Sequence, residues 1–234
     1  MKRSLSVLFL VTFLVLPLFA TDKGKTEIDI KLGLNVNPTA TASIEDITSA
    51  LDIDTGKKIE GGAAIEGKMQ YTIGLEGYYF VKDNLGIGLG VTRAFPTGYL
   101  NEFIARADSV NVYATVKQEI KVSENKIIDN FYFLGRLGYG INNLSSDASK
   151  VVPAIIGSMS GTAIDVDASM DNGLYWALGI GFEKSNFLVE VLYSVNYSKL
   201  NANVDIDDGA QKLDISTNLS LSTIGINVGY KFNI

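Results

Sequence analysis

The sequence contains no cysteine and no histidine, and only 4 Pro and 1 Trp among 234 residues. Without thiol or imidazole, disulfides, the usual zinc and iron–sulfur ligand sets and haem anchors are excluded. The commonest general base is missing as well, so an enzyme on this chain would have to work with carboxylate, lysine, tyrosine or hydroxyl groups. With 23 Gly, 47% apolar and 20% charged residues, the composition fits neither a collagen-like nor a disordered chain. Basic residues number 20 against 26 acidic, a net charge of −6, which argues against nucleic acid as a partner.

The first twenty residues have the layout of a secretory signal. Lys2 and Arg3 are followed by an apolar run from Leu5 to Leu18 and a small residue at Ala20. Cleavage after Ala20 is expected, with residues 21–234 forming one domain.

Along that domain the dominant pattern is alternation with period two, the mark of strands with one apolar and one polar face. It runs from Ile28 to Val36, Tyr71 to Val81, Leu85 to Val91, Val110 to Val116, Phe131 to Ile141, Leu174 to Phe182, Val189 to Tyr197 and Ile224 to Ile234. These are eight strands. Their connections alternate between short (82–84, 123–129, 183–186) and long (37–69, 94–108, 142–172, 198–213). Short turns on one side and long loops on the other is the layout of an even-stranded transmembrane barrel.

The polar face tells the inside from the outside. It interleaves Gly74, Gly86, Gly88, Gly90, Gly138 and Gly181 with Glu76, Lys117, Arg136 and Glu190. Glycine on a solvated outer face would weaken a strand for no gain, whereas in a narrow lumen it makes room for large inward neighbours such as Tyr78, Tyr113 and Tyr132. The apolar face is almost free of charge and suits lipid. Aromatics at strand ends, Tyr71 and Tyr79, Phe131 and Tyr139, Phe187 and Tyr197, match the girdles of such barrels. The reading is an all-β, eight-stranded antiparallel up-and-down transmembrane β-barrel with four long extracellular loops and short periplasmic turns. Leu219 and Leu221 have the opposite parity to Ile224–Ile234. This predicts a tall last hairpin, turned at Asp207-Asp208-Gly209, whose apolar side chains point inward above the bilayer; a bulge near Ser222 or Thr223 is the alternative. Ser43 to Leu51 is expected to form a short helix, capped by Ser43 or Thr41.

The last strand reads Asn227-Val228-Gly229-Tyr230-Lys231-Phe232-Asn233-Ile234. It resembles the terminal strand of bacterial outer-membrane β-barrel proteins, a pattern read by the barrel assembly machinery, with Asn227, Gly229, Phe232 and Ile234 at the matching positions. Ile234 departs from the usual final aromatic. The hairpin from Tyr78 to Val91 is similar to the second hairpin of the small barrels related to the OmpA transmembrane domain, OmpX and the opacity proteins. The resemblance implies a bacterial outer-membrane location, contact with outer-membrane lipid and lipopolysaccharide, and a buried charge cluster acting as a plug.

Glu76, Lys117, Arg136 and Glu190 lie near the short-turn ends of their strands and are expected to pair inside the lumen as a plug or ion-pair gate. The acidic stretches at Asp52-Ile53-Asp54, Asp165-Val166-Asp167 and Asp205-Ile206-Asp207 lack the spacing of a calcium loop, so no metal ligand and no cofactor is assigned. Outer-membrane barrel enzymes use a catalytic His, and the chain has none, so it is read as no enzyme. The expected function is that of a monomeric surface protein with a structural, adhesive or host-interaction role through its loops. The alternative is a narrow channel for small solutes or ions.

Overall fold

The computed structural model describes residues 24–43, 62–66, 69–96, 107–122, 127–144, 164–206 and 211–234. They form ten strands: β1 (Thr26–Ser43), β2 (Gly62–Glu66), β3 (Gln70–Lys82), β4 (Leu85–Pro96), β5 (Ala107–Lys121), β6 (Asn130–Leu144), β7 (Ile164–Met170), β8 (Gly173–Lys184), β9 (Phe187–Ile206) and β10 (Gln211–Asn233). All pairings are antiparallel, and β10 pairs with both β9 and β1, so the sheet closes. Closure leaves no edge around the ring, as a lipid-embedded sheet requires.

The ten strands make eight staves. β2 and β3 lie on β1 in one continuous register, Thr39 opposite Glu66 and Asn35 opposite Gln70. β7 and β8 both pair with β9, the register stepping by one residue between Met170–Leu200 and Tyr175–Asn196. The strands are longer than the alternation alone suggested, because pairing continues into the long connections. Most of 198–213 is paired strand, with β9 running to Ile206 and β10 starting at Gln211.

Orientation follows from exposure. Ile30 (45%), Leu89 (37%), Leu178 (62%) and Val191 (45%) are open on the outside, while Tyr78, Tyr113, Tyr132 and the charged residues between them are buried. The core of this molecule is therefore polar and aromatic, and its surface is the apolar band. Tyr71, Phe131, Tyr139, Phe182, Phe187 and Tyr197 are all exposed. Phe187 stacks edge-on against Tyr230 at 5.3 Å on the short-turn side.

The β9–β10 ladder runs without a break from Phe187–Tyr230 to Ile206–Gln211, with Leu219 buried and Leu221 lining the lumen. The tall inverted hairpin is therefore present down to these residues, and its turn at 207–210 lies outside the described residues. The register shift here belongs to β1, between Val36 and Thr39, opposite Thr223. The helix expected at Ser43–Leu51 lies, from 44 on, outside the described residues; Thr41 and Ser43 pair with Ala64 and Gly62 in the β1–β2 ladder.

Strand tilt controls what meets inside. Following directly paired residues around the ring from Asp29 leads through Glu76, Gly90, Tyr113, Gly138, Tyr175, Asn196 and Leu221, and returns to β1 at Ala40 rather than Asp29. That stagger is the shear of a tilted barrel. Residues at equal distance from their turns therefore do not share one height.

Candidate functional site: two charged layers in the lumen

Among the described residues, six carboxylates and four bases are buried in the lumen: Glu27, Asp29, Glu76, Glu119, Glu183 and Glu190 with Lys31, Lys117, Arg136 and Lys231. All ten sit at inward positions of their strands. They sort into two layers of the same design.

The upper layer is a triad of carboxylates, Asp29, Glu76 and Glu190, whose oxygens lie within 4.8 Å of one another. Such spacing suits a metal ion, but the cation there is an ammonium: Lys31 Nζ is 2.7 Å from Glu76, 3.4 Å from Asp29, and also donates to Glu190. Arg136 supplies the second positive charge, bonded to Glu76 and to Glu190 (3.1 Å). Three phenols complete the shell: Tyr78 and Tyr113 (2.7 Å) donate to Glu76, and Tyr132 donates to Glu190 at 3.0 Å. Asn227 donates to Glu190 at 3.2 Å.

The lower layer, nearer the short turns, repeats the plan. Glu27, Glu119 and Glu183 form the triad, Lys117 reaches all three, at 3.7 Å for Glu119, and Lys231 bridges Glu183 and Glu27 (3.6 Å). The Tyr78 ring lies between the layers, 5.8 Å from the Lys31 ammonium and 5.3 Å from that of Lys117. Lys117 also stands over Tyr132 at 4.7 Å. Burying so many charges is costly, and the ion pairs offset that cost; Asp29 meets the Lys31 ammonium at 3.4 Å, and neither of its oxygens accepts a hydrogen bond. Glycines give these groups room: a Cβ on Gly90 would come 2.5 Å from Tyr113 Cε2 and 2.8 Å from Glu76 Cγ.

Of the four lumen residues read from the sequence, the structure joins Glu76, Arg136 and Glu190 in the upper layer. Lys117 belongs to the lower layer and contacts neither glutamate there, because the ring stagger drops its position on β5. Alternation alone does not single out Glu27, Asp29, Lys31, Glu119, Glu183 and Lys231 as charge partners, although each lies on the polar parity of its strand. Glu183 borders the turn residues Lys184, Ser185 and Asn186. The four terminal residues Asn227, Gly229, Phe232 and Ile234 are spread along β10: Asn227 faces the lumen, a Cβ on Gly229 would meet Ile30 O at 2.6 Å, Phe232 faces outward against Tyr230, and Ile234 N–H donates to Thr26 O at 2.9 Å.

An apolar outside around a charged, closed inside is the arrangement of a membrane barrel, and comparison agrees. Residues 6–232 match the outer membrane protein beta-barrel domain family. The chain belongs to that family. Among solved structures, this outer-membrane barrel is similar to OprG of Pseudomonas aeruginosa, at 16% identity over 89% of this chain and 96% of that one, with a TM-score of 0.47. It is also similar to Ail, the attachment invasion locus protein of Yersinia pestis, at 13% identity over 89% and 99% with a TM-score of 0.40. Neisserial surface protein A gives 12% over 88% and 97%, with a TM-score of 0.40. No curated protein matches.

Proposed function

We propose that this outer-membrane barrel is closed to solutes and acts at the cell surface, in a structural, adhesive or host-interaction role carried by the connections on its long-loop side. One observation carries the reading: two stacked layers of ion pairs fill a lumen that eight strands leave only wide enough for side chains. A barrel blocked twice over is poorly suited to bulk passage. Under this reading residues 1–20 are a cleaved export signal, and 21–234 form the barrel. Asn227, Gly229, Phe232 and Ile234 present the last strand to the barrel assembly machinery, and the apolar band of a monomer meets outer-membrane lipid and lipopolysaccharide.

A narrow channel is the second reading, favoured by the cavity above Arg136. It would require both layers to rearrange. Planar-bilayer recording of the purified protein separates the two: the closed barrel gives no large stable conductance steps, and such steps would overturn it. Shortening 44–61 or 145–163 in cells should lower adherence to host cells or matrix without loss of the folded barrel. Unchanged adherence after both deletions would remove the surface role.

A further inference from the structure

Above the upper layer, toward the long connections, the lumen widens into a cavity of about 90 Å³, room for several waters or a small solute. Arg136 forms part of its lining. The guanidinium Nη2 of Arg136 is committed to Glu76 and Glu190, but its Nε–H has no acceptor although the residue is only 5% exposed. A buried donor without an acceptor is rare and destabilising, so an oxygen is wanted at this point.

The walls differ in chemistry. Thr72, Thr92, Asn111, Asn196 and Asn227 offer hydroxyls and amides, whereas Met170, Tyr175, Leu192 and Leu221 form an apolar strip along β7, β8, β9 and β10. Gly225 keeps the space open, since a Cβ there would approach Asn35 Oδ1 to 2.9 Å. Among the described residues, Arg136 is the one lining residue with a formal charge, and the layer beneath holds three carboxylates against two bases. An anion is repelled from below, and a cation meets the guanidinium. An uncharged molecule with alternating hydroxyl and C–H faces fits both walls.

We propose that this cavity binds a small polyhydroxylated molecule, from a short polyol up to a single sugar ring. One ligand oxygen takes the Arg136 Nε–H, its hydroxyls meet the amide wall, and its C–H face rests on Tyr175 and Leu192. Binding requires no passage through the layers below, so it stands whether or not the barrel conducts.

The test uses the full barrel refolded in nanodiscs with 13C-methyl methionine. Met170 lines the cavity, and exposed Met69 serves as the internal control. Glycerol and glucose are the probes, with sodium acetate as the charged comparison. The expected result is a saturable shift of the Met170 methyl with glycerol or glucose, none at Met69 and none with acetate. Arg136→Lys keeps the charge but removes the Nε donor, and should weaken binding about tenfold. Ser194→Phe fills the cavity without touching the charged layers and should abolish the shift, with heat-modifiable gel migration reporting that each variant is folded. No saturable shift with either probe overturns the proposal and leaves a water-filled cavity. A shift that survives Ser194→Phe, or tighter binding of acetate, overturns it equally.

Discussion

Lys31 reaches Glu76 along a diagonal of the β1–β3 ladder. The register sets Asp29 directly opposite Glu76 and Gly74 opposite Lys31, so two carboxylates face each other and the ammonium two residues along closes on Glu76 at 2.7 Å. Like charges directly opposite are destabilising, and here the diagonal lysine offsets that repulsion. The same ammonium serves Glu190 on the far side of the lumen, which makes it a tie across the barrel as well as between neighbours.

Lys31→Met retains the stem and removes the cation, leaving Arg136 as the base of the upper layer. Loss of one partner from a buried charge cluster costs about 3–5 kcal/mol, to be read by urea unfolding of the refolded barrel in vesicles. Adding Glu190→Gln should restore part of the loss, since the two changes are not additive for groups in contact. A Lys31→Met barrel of unchanged stability would show that the ammonium does not hold the triad.

The layers act in series, so opening one should not open the barrel. Truncating Arg136 and Glu190 to Ala is expected to leave planar-bilayer conductance at background, and only the further change Lys117→Ala with Glu183→Ala should produce steps. Steps from the first pair alone would mean that the lower layer does not seal.

The strands, their inward and outward faces and the closure of the sheet were legible from alternation, because a period of two is a local property that each strand states by itself. Height along the axis is not local. It depends on the accumulated stagger of all eight staves, and this separates Lys117 from Glu76 and Glu190 despite their similar distance from the turns. Glu27, Asp29 and Lys31 were readable as inward residues of β1, but the partners of Glu27 and Lys31 on β3, β5, β9 and β10 become visible only once the ring is closed. Glu183 was hidden by its neighbours Lys184, Ser185 and Asn186, whose turn chemistry masks an inward strand end. The strand identity of Thr41 and Ser43 depends on β2, a segment with too short an alternation to stand out.

The turn between β8 and β9 is stapled from outside. Asp129 accepts from Lys184 at 2.8 Å and from the Ser185 N–H at 2.7 Å, where Ser185 has a positive φ of 55°. Hydrogen bonding to Lys184, with the Ser185 N–H next, holds the Asp129 carboxyl below the usual aspartate range. A depressed folded value means that the staple's contribution is complete above the unfolded value and is lost as pH falls through the folded one. Amide exchange at Ser185 should therefore stay protected at neutral pH and weaken below about pH 4 relative to Asp129→Asn as reference. Protection that does not change with acid would exclude a role for the carboxylate.

Glycines on opposite faces should respond with opposite sign. Gly90→Leu drives a side chain into Tyr113 and Glu76 and is expected to cost about 1–3 kcal/mol or more. Gly135 faces outward, where a Cβ meets only Leu178 Cδ2 at 3.7 Å, so Gly135→Ala should stabilise by about 0.5–1 kcal/mol. Urea midpoints of the two variants against the parent provide the comparison.

Trp176 is the single tryptophan of the chain. It lies on the outward parity of β8, paired with outward Leu137 on β6 and 5.8 Å edge-on from Tyr193. Its fluorescence therefore reports directly on whether the apolar face meets acyl chains. In vesicles of brominated phospholipid, strong quenching is expected, together with weak quenching by aqueous iodide. Emission untouched by the brominated chains but quenched by iodide would place that face in water and contradict the inside-out barrel.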